Sequence, residues 1–332
     1  MNRHITSAPA KNQTGFSLVE LMVAITIGFI VVASVGYVYL GSRSAFRTTD
    51  NMSRMQESAR YALDMLGRDV RMAGFVGCGN LASTSVNTIA NPPVPAISAA
   101  TAIVGYDDGA GWTNPSGITR LAGDVITIQG AFGAGVSITG NCVPVNAQLQ
   151  ITGNPYGFEQ GDVLVVSNCT NTDVFKVTNT PGSSGLVTLA HSNSSNTSNN
   201  VSAQYCSDAS IFRFEQYDYF IGQNPAGRRA LYRVSIKEGA QELVENVENM
   251  QVEFGRDTNA DRAADVYNDA TGVGANWNQV VAARISLLIS SPENNVTTSA
   301  QTYNFNGAAV NAGDRRMYQV FTTTIGIRNR LP

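Results

Sequence analysis

One carboxylate, Glu20, stands at the head of an apolar run that continues to Leu40. A charge inside a membrane helix costs on the order of 2–3 kcal/mol even on insertion scales, so such a residue normally has a partner. The residues before it, Gly15-Phe16-Ser17-Leu18-Val19-Glu20, suggest one. If the chain is cut between Gly15 and Phe16, the new α-amine lies four residues before Glu20, one helical turn away and on the same face. In an array of parallel helices, the amine of one copy could meet Glu20 of the next. That pairing would neutralise both charges and set the axial stagger. A glycine before the cut also lets the backbone enter a peptidase site unobstructed.

Other residue sets invite other chemistry. Asp257, Asn259, Asp261 and Asp265 fall at relative positions 1, 3, 5 and 9, a spacing that resembles a calcium loop of hard oxygen ligands. Arg262 stands where the turn glycine of such a loop belongs, and Asn268 replaces its bidentate glutamate. The competing reading is an Asx-rich turn between strands. The four cysteines, Cys78, Cys142, Cys169 and Cys206, contain no C-x-x-C pair, and only His4 and His191 could assist them, which argues against zinc. An even count after a membrane segment suggests an oxidising compartment and two disulfides, the alternative being buried thiols. Of the three possible pairings, the sequential one, Cys78–Cys142 with Cys169–Cys206, is the expectation. A nucleophile needs a placed base, and His191 lies in a Ser/Asn tract, so no active site is expected and the protein reads as a non-enzyme. No phosphate-binding loop with lysine occurs, which excludes an ATP-driven motor. Trp112 and Trp277 read as packing residues. With a net charge of −3 and no basic block, nothing marks a nucleic-acid surface.

These residues need elements to position them. Residues 1–15 are polar, carry Arg3 and Lys11 and contain no acidic side chain. The run from Phe16 to Leu40 makes a helix of about 37 Å at about 1.5 Å per residue, enough to cross a hydrocarbon core of about 30 Å. Tyr37 and Tyr39 sit where interfacial aromatics belong, and the positive leader places the N-terminus in the cytoplasm. A secretory signal cut near Ser42-Arg43-Ser44 is the alternative, but its apolar stretch would be too long. A plain anchor explains the length and leaves Glu20 unexplained. Beyond Leu40, Met52, Met55, Ala59, Ala62, Leu66, Val70 and Ala73 recur at helical spacing, and Gly74, Gly77 and Gly79 supply a stop. One helix of roughly 55–60 residues is predicted, apolar all round first and amphipathic later.

Hydrophobic residues make up 43 % of the 332-residue chain and charged residues only 14 %, below the usual quarter or so. The abundance of Gly, Ser, Thr and Asn suits short strands and turns. Residues 81–115, rich in proline, read as irregular. Short apolar runs at 124–128, 162–166, 175–177 and 186–189 read as strands of an inserted β-rich subdomain, and 191–202 as an exposed loop. Longer strands are expected at 211–221, 230–236, 250–254, 280–289 and 318–327, with a short helix or turn at 243–249. The fold class is therefore α+β, a long N-terminal helix packed on an antiparallel β-sheet head. The organisation is a leader (1–15), a transmembrane and stem helix (16–78), an inserted β-rich region (79–210) and a head sheet (211–332).

Gly15-Phe16-Ser17-Leu18-Val19-Glu20-Leu21 resembles the prepilin-peptidase recognition motif of type IV pilins and type II secretion pseudopilins. Within that class, Arg68-Asp69-Val70-Arg71-Met72-Ala73-Gly74-Phe75 in residues 60–78 resembles the PilW family of minor pilins, as do residues 243–252, 280–288 and 316–331. The resemblance implies cleavage after Gly15, N-methylation of Phe16 and assembly through Glu20. It implies a minor pilin at or near the pilus tip, with other minor pilins, the major pilin and prepilin peptidase as partners and no small-molecule substrate. The location implied is the inner membrane, with a periplasmic head, and then the cell-surface pilus. Nucleic acid would be a partner only for a DNA-uptake tip. The J-class secretion pseudopilin, or an adhesin or DNA-binding tip module, is the alternative. Residues 81–210 resemble no named family, and no cofactor beyond the calcium candidate is expected.

Overall fold

A computed structural model describes residues 15–81, 83–92, 94–140 and 147–330. The chain divides into two compact units, Met1–Asp50 and Asn51–Pro332, and one helix, α1 (Leu18–Arg71), contributes to both.

In the first unit the described residues are almost all helix, and every apolar side chain from Leu18 to Phe46 is exposed. The helix is long and apolar enough to cross a membrane. Two of its hydroxyls are turned inward on the backbone: Thr26 Oγ1 donates to the Met22 and Val23 carbonyls at 3.0 and 2.9 Å, and Ser34 Oγ to the Ile30 carbonyl at 2.8 Å. Bonds to the preceding turn spare an apolar medium those two hydroxyl protons.

The second unit holds sixteen strands among the described residues. They are β1 (Ser85–Thr88), β2 (Ile103–Tyr106), β3 (Arg120–Ser137), β4 (Gln148–Thr152), β5 (Val163–Ser167), β6 (Asn171–Lys176), β7 (Leu186–Ala190) and β8 (Ser210–Gln223). They continue as β9 (Arg229–Ser235), β10 (Gly239–Glu245), β11 (Val247–Arg256), β12 (Val266–Asn268), β13 (Val280–Ser290), β14 (Thr302–Phe305), β15 (Ala308–Asn311) and β16 (Tyr318–Gly326). A short helix, α2 (Ala270–Val273), follows β12. Eight strands form a sheet ordered β1-β6-β5-β8-β3-β2, with β9 also on β8 and β10 on β9. Among the described residues, only the β1–β6 pair is parallel. Four strands, β12-β11-β13-β16, form a second, antiparallel sheet.

The α+β class and the helix-plus-antiparallel-sheet architecture are as expected. Strands from 79–210 and from 211–245 nevertheless share one sheet, because β8 pairs with both β3 and β5. The segment 243–249 is extended, not helical: β10 runs into β11 through Asn246, which adopts φ 60°. The proline-rich stretch 81–115 contains β1 and β2. The Ser/Asn tract is not simply exposed, since His191, Asn196 and Val201 are buried. Asn196 explains part of this, accepting from the Lys176 amide at 2.7 Å and donating to its carbonyl at 2.9 Å, so that it occupies the place of a missing strand neighbour.

The core of this unit is built around the second half of α1. Met55, Ala59, Ala62, Leu66, Val70 and Ala73 are buried with Ile126, Ile128 and Tyr219 from the larger sheet and Val252, Ile285 and Ile325 from the smaller. A polar tie accompanies them: Tyr219 Oη donates to Asp69 at 2.5 Å, and Arg233 lies 3.6 Å from the same carboxylate. Burial raises the Asp69 carboxyl, while these two partners pull it back down. The helix stops where Gly74 takes φ 71° and donates to the Gln129 carbonyl. A side chain there would be strained, and its Cβ would come within 3.0 Å of Leu81 and 3.1 Å of Ala102.

Cys78 is bonded to Cys169, which overturns the sequential pairing. The reason lies in the β5–β6 hairpin. Its turn carries Cys169 back against the chain leaving α1, where Gly77 abuts Ser167 and Phe212. Cys206 is half-buried, and Cys142 lies outside the described residues.

Candidate processing and assembly site

The residues around the expected cut form a local unit with its own logic. Gly15, Phe16 and Ser17 are non-helical, and α1 starts at Leu18. Glu20 Oε2 accepts from the Ser17 amide at 3.2 Å, and Ser17 Oγ accepts from the Glu20 amide at 3.2 Å. This reciprocal pair is a capping box: two amides at the helix start that lack a carbonyl partner are satisfied by side chains. Phe16 precedes the cap and Leu21 follows the box, the positions of a hydrophobic staple. Glu20 also places negative charge in the first turn, where the helix dipole favours it.

In the uncut chain Gly15 and Phe16 precede the helix, which begins two residues after Phe16. There the Glu20 carboxylate reaches the amide of Ser17, the residue after Phe16. Ser17, which the sequence reading passed over, is the residue that holds it there. The S-x-x-E pattern before an apolar run was the signal that could have found it. Phe16 is 89 % exposed, so the Gly15–Phe16 bond is flanked by an accessible side chain.

The other candidates fall elsewhere. Asp257, Asn259, Asp261 and Asp265 do meet in one loop between β11 and β12. Asp257 accepts from the amides of Asn259, Ala260 and Arg262 at 3.2, 2.6 and 2.7 Å. Asn259 accepts from Asp261, and Asp261 from Ala263, at 2.9 and 2.8 Å. Asp265 takes the Thr258 amide and hydroxyl, both at 2.7 Å, which lowers its carboxyl below the usual range. Among the described residues no group of three or more His, Cys, Asp or Glu is arranged to hold a metal ion. The oxygens offered for calcium face backbone amides, as in an Asx-rich turn. His191 is buried against Phe175 at 5.2 Å, and neither ring nitrogen has a hydrogen-bond partner among the described residues. Burial lowers its basicity. Trp112 packs on Phe220 at 5.0 Å and Trp277 on Phe254 at 4.9 Å.

Residues 10–36 match the family model described as the prokaryotic N-terminal methylation motif, which spans the capping box and the first turns of the exposed helix. Residues 218–329 match PilW, the type IV pilus-assembly protein W. The matched stretch takes in the last six residues of β8 and all of β9 to β16, the smaller sheet among them. The resemblance read from residues 243–252 and 280–288 lies inside it, whereas residues 60–78 are covered by neither match. No curated protein and no solved structure matches the chain. Both matches are to pilin-type models, and pilin-type families are structural.

Proposed function

We propose that this protein is a minor pilin: a subunit cut after Gly15 by prepilin peptidase, N-methylated on Phe16 and built with sibling minor pilins into a complex that primes pilus assembly at or near the tip. The observation that carries this is one helix with two kinds of surface. From Leu18 to Phe46 its apolar side chains are exposed, while from Met55 to Val70 a stripe is buried in a folded head. The first part suits a bilayer before assembly and neighbouring helices after it.

The capping box gives the processing step a chemical consequence. Before the cut, Glu20 accepts from the Ser17 amide. Cutting creates a cationic amine one residue away, and methylation keeps that charge. A carboxylate already held at the helix start then has an ammonium partner, its own or that of the adjacent subunit. Before assembly the protein spans the inner membrane once with the head in the periplasm, a setting that agrees with the Cys78–Cys169 bridge.

Mass spectrometry of the membrane fraction tests the reading. The expected N-terminus is N-methylated Phe16; an intact Met1 or a start at Ala45 would sink it. Partners that co-purify should be pilus subunits, and recovery of secretion pseudopilins instead would favour the J-class alternative.

A further inference from the structure

Arg213, Glu215, Tyr217 and Tyr219 alternate along one face of β8. Tyr219 is bonded to Asp69 near the end of α1. Toward Arg213 the same strand borders a cavity of about 310 Å3. Its walls include Phe132, Tyr156, Phe158 and Tyr217, with Glu215 and Glu238 as its acidic groups. Glu215 is only 5 % exposed, and its Oε2 has no hydrogen-bond partner among the described residues. Buried polar groups are normally satisfied, so an orphan carboxylate oxygen lining a cavity calls for an explanation.

The neighbouring charges do not supply one. Arg213 pairs with Asp162 at 3.3 Å, Lys237 with Asp162 and Glu159 at 2.9 and 3.1 Å, and Arg233 with Asp69 and Glu238 at 3.6 and 3.8 Å. Five carboxylates (Asp69, Glu159, Asp162, Glu215 and Glu238) thus face three cations, and Glu215 is in no ion pair among the described residues. Burial holds its carboxyl up at about 7. The walls already tolerate cations: Arg213 lies 5.8 Å from the Phe158 ring centre and Arg233 lies 4.7 Å from that of Tyr217.

We propose that this cavity binds a primary ammonium group, held by Glu215 with Glu238 and faced by the rings of Phe132, Tyr156 and Tyr217. An ammonium supplies the donor that Oε2 lacks and the positive charge that the local excess of carboxylates favours. Aromatic faces attract the same group and cover the carbon body that carries it. The ligand class is a small amine body, either an amino sugar or an exposed lysine side chain. The site is independent of the assembly reading, since a failed binding experiment leaves Phe16 processing untouched.

The test uses the full chain in non-ionic detergent, titrated by calorimetry with two matched pairs: glucosamine against glucose, and Nα-acetyl-lysine amide against Nα-acetyl-norleucine amide. The charged member of at least one pair should bind ten-fold or more tighter than its neutral counterpart, and the tighter pair identifies the source of the amine. Glu215→Gln, which keeps shape and removes charge, should abolish that preference. Tyr156→Ala, at a 45 % exposed position where folding is not at stake, should weaken binding several-fold. Equal binding of charged and neutral probes, no binding of either amine, or a preference that survives Glu215→Gln would each overturn the proposal.

Discussion

The two halves of α1 share a backbone conformation and differ in what their side chains need. Residues 18–46 are apolar on every side and exposed among the described residues. Residues 51–71 are apolar along one stripe, and that stripe is the centre of the head. Helical periodicity alone would treat them as one amphipathic rod. The distribution of apolar residues around the axis shows that the first half must find burial outside the fold, whereas the second finds it inside. One carboxylate from each half shows the difference. Asp69 fastens the helix to Tyr219 and Arg233 of its own head. Glu20 is held by Ser17 at the exposed end.

The contrast can be broken most forcefully at Glu20. Glu20→Ala should insert and fold normally, with an unchanged head Tm, yet lower surface piliation ten-fold or more by immunoblot of sheared fractions. Wild-type piliation would remove the pairing argument. Ser17→Ala should give a weaker version of the same defect.

A matched pair of truncations sharpens the comparison. Leu66→Ala, inside the core, should destabilise the head by about 2–5 kcal/mol in denaturant unfolding. Ile30→Ala, in the exposed half, should leave head stability unchanged. Equal effects would mean that the two halves do not differ as described. Opening the Cys78–Cys169 bridge, which closes a 91-residue separation, should cost about 2–5 kcal/mol, and Cys142→Ser should not mimic that loss by releasing a thiol at Cys78.

The smaller effects concern charge. The Glu215 carboxyl is raised from 4.5 to about 7, so the folded state holds its proton more tightly than the unfolded chain. That contribution is full below pH 4.5 and is lost as pH rises through about 7. Glu215→Gln should therefore stabilise the head by on the order of 2 kcal/mol at pH 8 and leave it unchanged near pH 4. The Asx-rich loop is the last test. With Asp257, Asp261 and Asp265 engaged by amides, calcium and chelator should give the same Tm. A rise with calcium would make the loop a cation site.

Much of this was legible in residue order. The apolar run, the stripe from Met55 to Ala73 and the stop at Gly74 are local patterns, and α1 follows them to within a few residues. The apolar runs at 124–128, 162–166 and 280–289 became β3, β5 and β13 for the same reason. What failed was partnership. The Cys78–Cys169 bond depends on a hairpin folding back on the helix end, and Asn196 is buried because it completes a distant strand. The extended path through 243–249 was masked because Asn246 supplies the turn that a glycine would have announced.

By itself the sequence determined that this protein has an unburied apolar helix, a carboxylate at its head and a second half made to dock, because periodicity and charge are properties of neighbouring residues. The S-x-x-E pattern likewise encodes the bond between Ser17 and Glu20. Only the tertiary structure decided that Cys78 meets Cys169 and that Glu215 Oε2 lines a cavity without a hydrogen-bond partner among the described residues. Those outcomes depend on which groups arrive beside one another once the chain is folded, and no spacing along the chain encodes them.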